Sequence, residues 1–140
     1  MNRTASAVWT GDLKSGKGTM TTGSGTLRDA PYSFVTRFEN SPGTNPEELI
    51  AAAHAGCFTM ACSGALAKAG FTAGKLATSS VLTLEQVDGA WTITTIQLSL
   101  TGSVPGISND KFRQIAEEAK ANCPVSRLLK ANIKLETRLQ

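Results

Sequence analysis

Cys57 lies in the middle of an almost charge-free helical stretch, and Cys123 stands immediately before Pro124 at the start of another helix. Two thiols in defined backbone settings, far apart in sequence, point to reversible disulfide chemistry rather than a packing accident. The two settings act differently on a thiol. A mid-helix cysteine has no free backbone N–H groups to stabilise its thiolate, and apolar surroundings push its pKa upward. Cys57 therefore needs a cation to act as a nucleophile. Cys123, beside a helix start, is placed where backbone N–H groups favour the anion. Local physics makes Cys123 the lower-pKa thiol and leaves open which cysteine attacks first. Taken singly, each also reads as a small core or capping residue, because unpaired cysteine is commonly buried. Cys62, about 140° around the helix from Cys57, reads as core.

Arg37 is the candidate cation, since a guanidinium stays charged when buried and can hold a thiolate and a carboxylate in one fork; the plainer reading is a surface strand residue. Glu47 is the natural partner for such an arginine. It precedes Cys57 by ten positions on the same helix, a rise of about 15 Å, so it cannot reach the sulfur of its own chain directly. Either Arg37 spans between them or the site combines residues from two subunits. The plainer reading of Glu47 is a first-turn acid that complements the helix dipole. His54, one turn before Cys57, shares its side of the helix. With Cys57 and Cys123 it offers three zinc ligands, but without CxxC or HxxxH spacing. A buried or interface histidine fits better, and no metal or cofactor is expected.

The elements that must position these residues follow from pattern. Ala5 to Thr10, Gly18 to Thr22 and Tyr32 to Glu39 read as antiparallel strands separated by Gly-rich breaks. In the third, Tyr32, Phe34 and Phe38 share one face and Val35 and Arg37 the other. Asn45 caps a helix that opens with Pro46, Glu47 and Glu48, runs to about Ala69 and stops at Gly70. Val81 to Val87 and Trp91 to Thr101 flank Asp88-Gly89, a hairpin signal. The second of these strands changes phase, so a bulge is expected near Thr94 and Thr95. A helix from Asn109 or Asp110 through Lys120, a short one from Cys123-Pro124 to Lys130, and a strand from Ile133 to Leu139 close the chain. The order is α+β, with no βαβ series.

At 140 residues the chain fits one domain, 1–140, with a real core. A net charge of +3, with the fourteen Lys and Arg spread along the chain, does not indicate nucleic-acid binding. The N-terminus has no apolar signal segment, so the cytoplasm is expected, where cysteines that pair tend to be catalytic or redox-sensing. Leu49 to Ala67 carries no formal charge and is long enough to span a bilayer. Its Ala, Gly, Ser, Thr and His54 lack the Leu/Ile/Phe density that insertion needs. A central helix wrapped on all sides by sheet is the expected alternative, and no membrane partner.

Gly43-Thr-Asn-Pro-Glu-Glu-Leu-Ile-Ala-Ala-Ala-His-Ala-Gly-Cys-Phe-Thr-Met-Ala61 and Ala121-Asn-Cys-Pro-Val-Ser126 resemble the OsmC/Ohr family. The resemblance extends from Trp9-Thr-Gly-Asp12 through Pro31-Tyr-Ser-Phe34 and Thr36-Arg-Phe38 to the last strand, and is nearer to the osmotically inducible OsmC branch. It implies an OsmC-like fold, with antiparallel sheets wrapped around a long central helix in an intertwined homodimer with shared active sites. The implied activity is a thiol-dependent peroxidase acting on organic hydroperoxides, and on hydrogen peroxide less efficiently, in oxidative or osmotic stress defence. On matching positions Cys57 is the peroxidatic cysteine, Cys123 the resolving cysteine, and Arg37 with Glu47 the activating pair. Arg37 follows the OsmC pattern; the loop that carries the charge in the Ohr branch reads Lys14-Ser-Gly-Lys-Gly18 here and has no arginine. The implied reductant is an external dithiol such as lipoyl groups. Phe38, Phe58 and Met60 are candidates for an apolar wall. The competing readings are a non-enzymatic redox sensor or apolar-ligand binder of the same fold, and a zinc hydrolase.

Overall fold

The computed structural model describes residues 1–39 and 41–140, which divide into two compact units, Met1–Leu49 and Ile50–Gln140. The first unit carries strands β1 (Ala5–Thr10), β2 (Lys17–Thr22) and β3 (Ala30–Ser33), paired antiparallel in that order. Asp12 shapes the β1–β2 connection, its Oδ1 accepting from the backbone N–H groups of Lys14 at 2.9 Å and Ser15 at 3.0 Å. Trp9 and Tyr32 lie across β2 with ring centroids 5.4 Å apart. Gly18 passes beneath them, and a Cβ there would come within 2.5 Å of Tyr32.

The expected third strand, Tyr32 to Glu39, is corrected: β3 ends at Ser33 and Phe34–Phe38 form a short helix, α1. A reciprocal cap turns the chain. The Ser33 hydroxyl accepts from Thr36 N–H at 3.4 Å, and Thr36 Oγ1 accepts from Ser33 N–H at 2.9 Å. Helical spacing then brings Phe34 and Phe38 together, centroids 4.9 Å apart. Arg37, expected to point away from the aromatics, instead lies 5.0 Å from the Phe38 ring centre. Among the described residues of this unit the buried ones are Gly16 and Gly18, while Val8 and Leu13 are 63% and 64% exposed. The sheet has no apolar core of its own.

Helix α2 (Pro46–Lys68) starts where the capping residues placed it, with Glu48 N–H donating to Asn45 Oδ1 at 2.8 Å, and the chain leaves it through Gly70 at φ +84°. By length and composition α2 could cross a bilayer. His54, Phe58, Cys62 and Leu66, spaced four apart, are nevertheless fully buried, as in a core helix. Within one chain that burial forms a single stripe, packed on β5 and α3.

The second sheet comprises β4 (Lys75–Val87), β5 (Ala90–Ser103) and β6 (Asn132–Leu139) in that order. Asp88 and Gly89 turn the hairpin at φ 51° and 80°, the sign that a two-residue turn of this kind requires. The bulge falls where the phase change placed it: Thr83 pairs with Thr95 and Leu84 with Ile93, leaving Thr94 extra. Beyond it Ile96, Leu98 and Leu100 face inward and are buried. Helices α3 (Asn109–Asn122) and α4 (Pro124–Leu128) follow. They carry the chain back to the end from which β5 started, so β6 pairs with β5 in parallel. The other strand pairs are antiparallel as expected, and this one parallel pair is an exception to that expectation without making a βαβ series. The core joins Phe58, Cys62 and Leu66 of α2 to the inner face of β5 and to Phe112, Ile115 and Ala119 of α3.

Candidate active site

Cys57 is held by α2 and Cys123 by the junction of α3 and α4. Cys123 closes α3, its N–H donating to Ala119 C=O at 2.9 Å, and its own carbonyl accepts from Arg127 N–H at 3.0 Å. Pro124 opens α4 in the first helical position, which needs no N–H. Two residues after Cys57, Thr59 ties α2 to β4, its hydroxyl bonding Ala55 C=O at 2.7 Å and Thr78 Oγ1 at 2.6 Å. The two cysteines, far apart in sequence, end with Sγ atoms 2.9 Å apart. Both are free thiols, Cys57 half-buried and Cys123 buried. A disulfide has sulfurs about 2.05 Å apart, so closure needs a shift of about 1 Å.

Burial raises the Cys57 thiol, and the neighbouring Cys123 adds to the rise against a favourable backbone N–H of Val125. Burial also acts to raise Cys123, but hydrogen bonds from Cys57, from the backbone and hydroxyl of Ser126 and from the backbone of Val125 outweigh it, and its pKa is lowered. The direction agrees with the reading of a thiol at a helix start. Cys62 lies in the core, where burial pushes its thiol up to about 11.

Arg37 and Glu47 form a second pair, in the first unit. The guanidinium grips the carboxylate through Nε, at 3.2 and 3.1 Å from the two oxygens, and through Nη2 at 2.8 Å. This geometry uses one edge of the fork and leaves the Nη1 edge unused by Glu47. Arg37 is 37% exposed and Glu47 12%. The pair is anchored by Asn45, whose side-chain amide donates to Thr36 C=O at 3.0 Å while its oxygen caps α2. Arg37 also borders a cavity of about 250 Å³ lined by Trp9, Leu13, Tyr32, Phe34 and Phe38. Of the three residues considered for an apolar wall, Phe38 lines this cavity, Phe58 is in the core and Met60 is exposed. Trp9, Tyr32 and Phe34, which also line it, were not singled out for that wall.

His54 does not turn to Cys57. Its Nε2 lies 2.8 Å from Ser126 Oγ in a buried contact, and burial lowers its pKa, keeping the ring neutral. Among the described residues no group of three or more His, Cys, Asp or Glu side chains is arranged to hold a metal ion. Ser126 escaped the sequence reading as a site residue, although it stands three positions after Cys123.

A family model described as OsmC-like protein matches residues 38–138. The chain is 49% identical over 140 residues to peroxiredoxin OsmC of Escherichia coli (strain K12), covering 100% of this chain and 98% of that protein. It is 30% identical over 92 residues to an organic hydroperoxide resistance protein of Xanthomonas axonopodis pv. citri (strain 306), 65% of this chain and 63% of the other. Among solved structures, an OsmC-like protein from Vibrio cholerae superposes with a TM-score of 0.77 at 18% identity, covering 98% of this chain and 99% of that one. The organic hydroperoxide resistance protein OhrB of Bacillus subtilis gives 0.69 at 22% identity, covering 98% of each. The α+β fold is theirs, and the chain belongs to the OsmC-like family.

Proposed function

We propose that this protein is a thiol-dependent peroxidase that reduces organic hydroperoxides, with Cys57 as the attacking thiol and Cys123 as the resolving one. The observation that carries this reading is the reduced pair itself: two free thiols 2.9 Å apart, of which Cys57 is the more accessible. Cys57 sulfur attacks one peroxide oxygen, the O–O bond breaks, and the alcohol leaves after taking a proton. Cys57 is left as the sulfenic acid. Cys123 displaces its hydroxyl as water to form the disulfide, and an external dithiol, of which lipoyl groups are a candidate, returns both thiols.

Cys57 sits in surroundings that oppose its thiolate, so the mechanism requires a cation, and Arg37 held by Glu47 fills that role. Its guanidinium lowers the energy of the thiolate and of the oxygen that departs. The aromatic cavity beside Arg37 suits an alkyl or aryl group, which favours organic hydroperoxides over hydrogen peroxide. The working unit in this proposal is a homodimer with shared sites. Two surfaces support it: the coreless first sheet and the second face of α2, where Ala53, Gly56, Met60, Gly64 and Ala67 are exposed and uncharged.

The test is consumption of cumene hydroperoxide by wild type and Cys57→Ser with dihydrolipoamide in excess. Rapid turnover lost in the variant supports the peroxidase. Comparable slow rates in both would overturn it in favour of a sensor or ligand-binding protein.

A further inference from the structure

Four residues form two facing pairs. On α2, His54 and Cys57 are three apart; around the start of α4, Cys123 and Ser126 are three apart. The pairs meet in antiparallel register, Cys57 with Cys123 at 2.9 Å between sulfurs and His54 with Ser126 at 2.8 Å between Nε2 and Oγ. Both members of the second pair are buried. Among the described residues His54 Nδ1 has no hydrogen-bond partner. A proton on Nδ1 would therefore leave a buried N–H orphaned, which folded proteins avoid more strictly than an unpaired acceptor. The tautomer that fits carries its proton on Nε2 and donates to Ser126 Oγ. The serine hydroxyl is then free to donate onward, and Cys123, the N-cap of α4, stands three positions before it, the spacing at which residues of a helix are neighbours.

We propose that His54 and Ser126 are positioning residues for the second thiol, forming a buried relay, His54 Nε2–H to Ser126 Oγ–H to Cys123 sulfur, that holds Cys123 ready to attack oxidised Cys57. This inference rests on the peroxidase reading for its place in the cycle. In that step an electron pair on Cys123 sulfur forms the S–S bond as the S–O bond of the Cys57 sulfenic acid breaks. The hydroxide that leaves takes up the proton given up by Cys123 and departs as water, so no oxidant beyond the hydroperoxide is used. The relay explains why a neutral, buried histidine is kept one turn from Cys57 without touching it. It also assigns the two thiols different supports: hydrogen bonds for Cys123, a cation for Cys57.

The experiment uses full-length protein as wild type, Ser126→Ala and His54→Leu, with Ser126→Thr and His54→Gln as variants that keep the donors. One equivalent of cumene hydroperoxide is added, and quenching with dimedone at increasing times separates sulfenic acid formation on Cys57 from disulfide closure, both read by mass spectrometry. Thiolate ultraviolet absorbance against pH is recorded on the reduced proteins without peroxide. Loss of one hydrogen bond to a charged sulfur slows closure about tenfold or more in Ser126→Ala and His54→Leu, with the first step changed less than about twofold. Ser126→Thr and His54→Gln recover closure, and the thiolate titration of Ser126→Ala moves to higher pH. Unchanged closure with an unmoved titration in folded Ser126→Ala would overturn the relay. So would equal slowing of both steps, which marks a merely structural role. If wild type forms no sulfenic acid, the peroxidase reading has failed, and the titration alone then decides whether Ser126 acts on Cys123.

Discussion

Met1–Leu49 and Ile50–Gln140 hold their candidate site pairs in opposite ways. The second unit sets Cys57 and Cys123 around a close-packed core in which Phe58, Cys62, Leu66 and Phe112 are almost without exposed surface. The first unit holds Arg37 on the short helix α1 beside a three-stranded sheet and Glu47 in the first turn of α2, with no buried apolar side chain among its described residues. Three isolated strands without a packed face are marginal in water. The thiols are thus fixed by packing within the chain, whereas the ion pair is fixed locally, by Asn45, the Ser33–Thr36 cap and its own fork. Redox chemistry needs two sulfurs to meet within an ångström, which a packed core supplies. An ion pair needs no such core, because its own hydrogen bonds fix it.

The contrast is broken most severely at the sulfurs. Cys57→Ser lowers turnover about a thousandfold or more. Cys123→Ser still forms the Cys57 sulfenic acid but proceeds to sulfinic acid under excess peroxide, and intact-mass measurement separates the two variants; equal loss of the first oxidation in both would contradict the division of labour. Next come Arg37→Ala and Glu47→Ala. The first lowers kcat/KM by about a hundredfold or more, while the reduced Cys57–Cys123 pair stays in place. Arg37→Lys recovers little, because an ammonium cannot reproduce the fork. Unfolding and remixing Arg37→Ala with Cys57→Ser at equal amounts restores about a quarter of wild-type activity if sites are shared, since half the dimers are mixed and each holds one intact site. No recovery on remixing would place Arg37 and Cys57 of one chain in the same site.

Stability sharpens the same comparison. Phe58→Ala costs about 3–5 kcal/mol in chemical denaturation, as a large cavity in a packed core does. Val8→Asp, on the open sheet, acts instead on assembly and appears in sedimentation equilibrium as loss of dimer. The smallest effect is at Cys62, whose thiol is pushed from the ordinary 9.0 up to about 11. Below pH 9 the thiol is protonated in both folded and unfolded chains, and this contribution to stability is fully present. Above it the unfolded thiol ionises first, so stability falls with rising pH by about 1.4 kcal/mol per unit until pH 11. The difference between wild type and Cys62→Ala in alkaline denaturation reads this slope, and parallel curves would remove Cys62 as its cause.

What was legible in the sequence was chiefly what short-range chemistry decides. Asn45-Pro46 and Gly70 bound α2, Asp88-Gly89 turned the hairpin, and the phase change between Ile93 and Ile96 marked the bulge at Thr94. The α1 turn was not, because the alternating aromatics of Tyr32 to Phe38 satisfy a strand period and the reciprocal Ser33–Thr36 cap overrides it. The parallel pairing of β6 was not, because strand alternation says nothing about direction; two intervening helices decide it. At the site, Cys57 and Cys123 were recognisable as thiols in defined backbone settings, which the fold brings together, and Arg37 and Glu47 as partners by charge. His54 and Ser126 were not recognisable as a pair, since 72 positions separate them and no local pattern links a helix histidine to a distant serine.

The measurement that tests the account most directly is peptide mapping without reductant after one equivalent of cumene hydroperoxide is added to the fully reduced protein. The account predicts a Cys57–Cys123 disulfide formed one-to-one with cumyl alcohol and reopened by dihydrolipoamide, with Cys62 left as a thiol. Alcohol formed without that disulfide, a bridge to Cys62, or both cysteines still reduced while the peroxide persists would contradict it.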